Sequence, residues 1–182
     1  PYYERFLARF PTVEALADAD LGEVLAMWQG LGYYARARNL HAAARIIRDE
    51  LGGRFPEDVA GLRALPGVGE YIAAAIASMA YDVPEPSVDS NVARVIARVF
   101  NVAEDPTHAA VWRLIRRHAR ALLDPERPGL SNQAIMELGA VICVPRKPLC
   151  PRCPIAAYCE ARALGIQEER PVRRARAEIP HR

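Results

Sequence analysis

Cys143, Cys150, Cys153 and Cys159 fall within seventeen residues, and the 182-residue chain has no other cysteine. The spacing is C-x6-C-x2-C-x5-C. Each iron of a [4Fe–4S] cluster takes one outer thiolate, so four cysteines gathered by one short loop suit such a cluster. A structural zinc site more often pairs two short knuckles, and here only Cys150 and Cys153 lie two residues apart. A disulfide framework would spread its cysteines along a small secreted chain, and no signal peptide is in view. The spacing therefore favours the cluster over zinc and over disulfides. Pro145, Pro148, Pro151 and Pro154 interleave the thiols, stiffening the loop and barring a regular helix.

Charge narrows the chemistry further. The net charge is only +2, yet Cys143 to Arg182 carries nine Lys/Arg against four Asp/Glu. Such a stretch suits either a phosphate backbone or a solvated tail. Lys147 is the sole lysine and sits inside the cysteine loop. Arginine does not deprotonate at working pH, so a buried lysine Schiff base has almost no candidate. Asp89, in Asp89-Ser90-Asn91, opens an apolar helix. It is either a plain N-cap or a carboxylate able to stabilise positive charge developing on a sugar.

The elements that must carry these groups read as helices almost throughout, so the expected class is all-α. Pro1 to Phe10 reads as the end of a helix, entered without a cap. Asp20 caps a run bearing Leu21, Val24, Leu25 and Trp28, which Gly30 and Gly32 break. Further helices are expected over Tyr33 to Glu50, Pro56 to Leu65, Glu70 to Ala80, Ser90 to Phe100, Thr107 to Leu123 and Leu130 to Cys143. Gln167 to Arg182 is charged and aperiodic, as a linker or tail would be. Leu65-Pro66-Gly67-Val68-Gly69 joins two helices. Its glycines permit a tight turn, and free amides at the following helix start attract an anion. It is either a phosphate clamp or a simple connector.

Hairpin Leu65–Gly69, the stretch Val83-Pro-Glu-Pro-Ser-Val-Asp89-Ser-Asn-Val and the cysteine loop follow one another in an order that resembles the helix-hairpin-helix DNA glycosylases carrying an iron–sulfur cluster. The segment Gln29-Gly-Leu-Gly-Tyr-Tyr-Ala-Arg-Ala-Arg-Asn-Leu-His41 is most similar to the adenine DNA glycosylase (MutY) family. The resemblance covers residues 1 to about 165. It implies a helical barrel domain with the hairpin (1–83), an iron–sulfur cluster domain (84–165) and a linker (166–182). It implies hydrolysis of the N-glycosidic bond of adenine mispaired with 8-oxoguanine or guanine in double-stranded DNA, after extrusion of the base.

The roles implied are specific. Asp89 matches the aspartate that stabilises the oxocarbenium-like sugar, and Asn91 its polar neighbour. Tyr71 stands where bifunctional relatives hold a lysine, which implies base removal without a strong lyase step. Tyr33 matches a ring inserted into the duplex, and Gly30 and Leu31 lie near the oxidised guanine. Leu65, Gly67, Val68 and Gly69 would grip phosphates, as would Arg146 and Lys147 on a loop held by the cluster. Arg36, Arg38 and His41 are either phosphate contacts or solvated helix groups, and Trp28 is expected in the core.

Two departures stand out. Ser90 replaces the glycine usual after the aspartate. The protonating glutamate of the family has no match here; Glu4, Glu14 and Glu23 lie elsewhere, so the chain is expected to be a core truncated at both ends and weakly active. The alternatives are a thymine or uracil mismatch glycosylase, which shares the cluster, the aspartate and often a tyrosine at the position of Tyr71, and a non-catalytic iron–sulfur DNA-binding fragment. The chain is expected to be a monomer, free of membranes, on DNA in a bacterial cytoplasm.

Overall fold

A computed structural model describes residues 2–172. Every regular element among them is helical, in keeping with the expected class. The α-helices are α1 Tyr2–Arg9, α2 Val13–Asp18, α3 Leu21–Met27, α4 Ala35–Asp49, α5 Val59–Arg63, α6 Glu70–Ala80, α7 Ser90–Val99, α8 Ala109–Leu122, α9 Pro128–Glu137 and α10 Glu160–Ala163. A π-helical turn, Leu138–Ile142, extends α9, and 3-10 turns occupy Cys150–Arg152 and Ala156–Tyr158. The fold divides into two compact units, Pro1–Ala73 and Ala74–Arg182. No described helix is long and apolar enough to cross a membrane.

In the first unit, side-chain caps start the short helices. Thr12 accepts from the Ala15 amide at 3.1 Å, Asp20 from Gly22 at 2.7 Å and Asp58 from Gly61 at 2.9 Å, each satisfying an amide that the helix leaves unpaired. Helix α2 was not expected: six residues are too few to display a helical period, and Thr12 was its only marker. Phe10, Leu16, Ala17, Val24, Ala37 and Ala44 form the core between α2, α3 and α4.

The second unit is built around α7. Val92 to Val99 are all buried, Arg94 and Arg98 among them, so this helix is enclosed on every side. Val88, Val92, Ala93, Ile96 and Ala97 pack with Val111, Ile115 and Ala119 of α8. Val95 and Val99 pack with Leu138 toward the cysteine loop. Gly139 permits the closest approach: a Cβ there would lie 2.9 Å from the Asn91 Cβ and 3.0 Å from its carbonyl. Any larger residue would push the π turn away from the start of α7.

Candidate active site and metal centre

The four thiols line one cavity at the end of α7, together with Val95, Val99, Leu138, Ile142 and Ile155. Proline does to this loop what the sequence suggested: it passes through short 3-10 turns and no regular helix. Burial, then the neighbouring Cys143 and Cys159, push the Cys150 thiol above its ordinary pKa. Burial likewise pushes Cys153 up, against an opposing hydrogen bond from the Ile155 backbone. Four thiolates in an apolar pocket repel one another, so they require a cationic group between them. Sulfurs set around a cavity fit a polynuclear iron–sulfur group.

Two buried arginines brace this loop. Arg98 is 2% exposed. It donates to the carbonyls of Cys143 (3.1 Å), Val144 (2.8 Å), Pro145 (3.1 Å) and Arg170 (3.0 Å), and to the Cys143 Sγ at 3.2 Å. A buried guanidinium holding carbonyls and a thiolate places positive charge where the donor set is anionic. One turn earlier, Arg94 donates to the Cys143 carbonyl at 2.8 Å and the Gly139 carbonyl at 2.7 Å. It also donates to the Asn91 Oδ1, at 2.9 Å. Asn91 in turn donates through Nδ2 to the Asp89 Oδ2 at 3.0 Å. A continuous run of hydrogen bonds thus joins the Asp89 carboxylate to the backbone of the first cysteine.

Asp89 is the N-cap of α7, its Oδ1 accepting from the Val92 amide at 2.7 Å. It is also partly exposed, so capping leaves it open to solvent. Both oxygens are held by donors, which fixes the carboxylate plane. The loop that delivers it is fixed by Asn132. That side chain accepts from the Ser87 amide at 3.0 Å and donates to Ser78 Oγ at 2.8 Å and the Glu85 carbonyl at 2.9 Å. Glu85 also pairs with Arg116 at 2.8 Å and with Arg120.

All the remaining candidates except Arg146 and Lys147 belong to the first unit. Tyr33 is 85% exposed and has φ +47°, a conformation that costs a bulky residue energy unless its surroundings impose it. The Trp28 indole N–H donates to the Gly32 carbonyl at 3.0 Å, and Arg36 lies over the indole face. Trp28 is half-buried against Phe6, so it is a brace for this loop as well as part of the core. Leu31 and Gly30 are exposed on the same loop. His41 is buried, with Nε2 3.1 Å from the Ala19 carbonyl, which removes it from any phosphate contact.

In the hairpin, Leu65 is buried and anchors the turn, while Gly67 and Gly69 are exposed. Gly67 has φ +77°, and a Cβ there would meet Asn39 at 2.7 Å. Val68 donates its amide to the Leu65 carbonyl at 3.2 Å, closing the turn before α6. Tyr71 lies on the first turn of α6 with its ring partly exposed. Arg146 and Lys147 are exposed in the loop between the first two cysteines, Lys147 with φ +50°.

Arg94, Arg98, Asn132 and Gln167 escaped the sequence reading. The first two sit four residues apart on α7, a spacing that ordinarily marks a solvated face. The signal available was four thiolates, which call for nearby positive charge.

Comparison with known proteins agrees with these observations. Residues 1–120 match the model of the HhH-GPD superfamily base excision DNA repair protein, and residues 143–159 match the iron–sulfur binding domain of endonuclease III. The chain is 48% identical over 161 residues to an adenine DNA glycosylase of Rattus norvegicus, covering 88% of this chain and 31% of that protein. It is 46% identical over 169 residues to the adenine DNA glycosylase of Homo sapiens, covering 92% of this chain and 31% of the relative. The chain thus spans about a third of the length of these curated relatives. Among solved structures, a thermostable thymine-DNA glycosylase superposes with a TM-score of 0.79 at 29% identity, over 90% of this chain and 75% of that one. A non-covalent endonuclease III–DNA complex shares the fold, with a TM-score of 0.75 at 24% identity over 91% and 76% of the two chains. The matched superfamily model, the iron–sulfur loop and the helical architecture agree, and the chain belongs to the HhH-GPD superfamily of base excision DNA repair proteins.

Proposed function

We propose that this chain is the core of a monofunctional adenine DNA glycosylase, hydrolysing the N-glycosidic bond of adenine mispaired with 8-oxoguanine or guanine in duplex DNA. The observation that carries it is the Asp89 carboxylate, held on both oxygens by Val92 and Asn91 yet open to solvent. A carboxylate whose orientation is fixed in advance by its donors stabilises the cationic sugar that forms as the base departs. Asn91 keeps the oxygen nearest it oriented. Tyr71 provides no amine, and the single lysine lies in the cysteine loop, so no Schiff base competes with hydrolysis. Glu23 is tied to Arg9 on the surface, and we assign it no part in the chemistry.

DNA is the partner this assignment requires. Gly67, Val68 and Gly69, seated on Leu65, would grip phosphate without regard to sequence, Arg146 and Lys147 would add charge, and Tyr33 with Gly30 and Leu31 would enter the duplex beside the lesion. Cys143, Cys150, Cys153 and Cys159 would hold the cluster, which when bound fixes the loop bearing Arg146 and Lys147. The same assignment gives residues 1–83 to a helical barrel domain, 84–165 to the cluster domain and 166–182 to a linker. The protein works as a monomer on DNA in the bacterial cytoplasm.

A second assignment, thymine excision opposite guanine, is supported by the likeness to the thymine-DNA glycosylase and by the tyrosine at position 71. Single-turnover excision by the full-length protein on duplexes holding A opposite 8-oxoguanine and T opposite G separates them. Adenine release with thymine untouched is expected, and the reverse preference would overturn the assignment.

A further inference from the structure

Among the described residues, one buried side-chain polar atom has no hydrogen-bond partner: the Oε1 of Gln167. Gln167 lines the same cavity as the four cysteines. An unpaired buried amide oxygen forfeits about 1–3 kcal/mol, so a fold rarely tolerates one without a use for it. The amide is not there by slack in the chain. The Ile166 amide just before it donates to the Ala161 carbonyl at 2.8 Å. Three residues later, the Arg170 carbonyl accepts from Arg98 Nε at 3.0 Å, and Arg170 Nε donates to Asn101 at 2.9 Å. The segment after the last cysteine is therefore a strap pinned on both sides of Gln167.

The rest of the cavity wall is largely apolar or sulfur, with Arg98 and Arg162 as its charged members. Arg98 already donates to the loop carbonyls and to the Cys143 sulfur, and the Gln167 amide oxygen accepts from neither arginine. Thiolate and sulfide are acceptors. Turning the amide over exchanges oxygen for an NH2 of nearly the same size, and the NH2 has acceptors to meet.

We propose that Gln167 is a cluster-contacting residue: its side-chain amide donates an N–H to a sulfur of the iron–sulfur group and holds the reduction potential of that group up. The inference rests on the assignment of the four cysteines as cluster ligands. Its physical basis is that N–H donors to sulfur stabilise the more electron-rich reduced form, so each donor moves the potential upward. Gln167→Leu keeps most of the volume and removes the donor. Its midpoint potential in the cluster-loaded protein shifts to a more negative value than that of wild type.

A second measurement needs no variant. Protein labelled with 15N-glutamine, with its cluster in a paramagnetic state, shows a nitrogen hyperfine coupling in pulsed electron paramagnetic resonance. Gln29, Gln133 and Gln167 are the glutamines of the chain, and of these only Gln167 lines the cavity. A more negative potential together with that coupling upholds the proposal. An unchanged potential in Gln167→Leu, or no glutamine coupling in wild type, overturns it. Wild type that never acquires iron would instead sink the ligand assignment beneath it.

Discussion

Arg98→Met replaces a guanidinium with a side chain of similar length and no donors, and its effect can be worked from the contacts. Five acceptors lose a partner: the carbonyls of Cys143, Val144, Pro145 and Arg170, and the Cys143 sulfur. Water can reach Pro145, which is exposed. Cys143 also keeps its bond from Arg94. Counting only two acceptors as fully orphaned, at about 1–3 kcal/mol each, gives a loss of about 4 kcal/mol. For a chain of this size each kcal/mol moves Tm by about 2–4 °C, so the drop is about 8–16 °C. The cysteine loop would loosen first, because it receives four of the five bonds. Iron content per protein, read beside calorimetric unfolding, should fall together with Tm. A variant that keeps its full iron content and melts within about 2 °C of wild type would refute the idea that this guanidinium braces the loop.

Arg94→Leu cuts the run of hydrogen bonds between Cys143 and Asn91. Single-turnover excision should fall by at least about tenfold, since a carboxylate misplaced even slightly loses much of its effect, while duplex binding changes little; equal rates would contradict a positioning role. Trp28→Phe removes the indole donor to Gly32 and keeps the ring. Binding to lesion DNA, followed by fluorescence anisotropy, should weaken by about three- to tenfold, the worth of one hydrogen bond, and the change should vanish in a Tyr33→Ala background. Additive losses would show that Trp28 does not act through Tyr33. Replacing Arg146 and Lys147 together with Ala should lower the slope of log K against log salt by about two. An unchanged slope removes both from the phosphate interface.

Much of the scaffold was legible because its signals are local. Asp20 announced a cap and accepts from Gly22 as one. Helices α6 and α7 begin at Glu70 and Ser90, where the glycine turn and Asp89 pointed. The cysteine window was legible because thiolate spacing is a chemical constraint that survives without knowledge of the fold. What stayed hidden depends on which helix face another element covers. Arg94 and Arg98 spell the same i, i+4 pattern whether they meet water or carbonyls contributed by residues forty-five or more positions later. Asn132 looks like any polar residue on a helix until Ser78, Ser87 and Glu85 close around it. Gln167 reads as the start of a charged tail, and only the pins at Ile166 and Arg170 turn it toward the thiols. Residues 173–182 of that tail lie outside the described residues.

Asp89→Asn in the full-length, iron-loaded protein bears most directly on the account. The amide keeps the shape of the carboxylate and can still cap α7, so folding and duplex affinity should be preserved. Without the negative charge, single-turnover release of adenine opposite 8-oxoguanine should fall by about 10²-fold or more. Release at the wild-type rate would mean that the carboxylate does not stabilise the sugar cation.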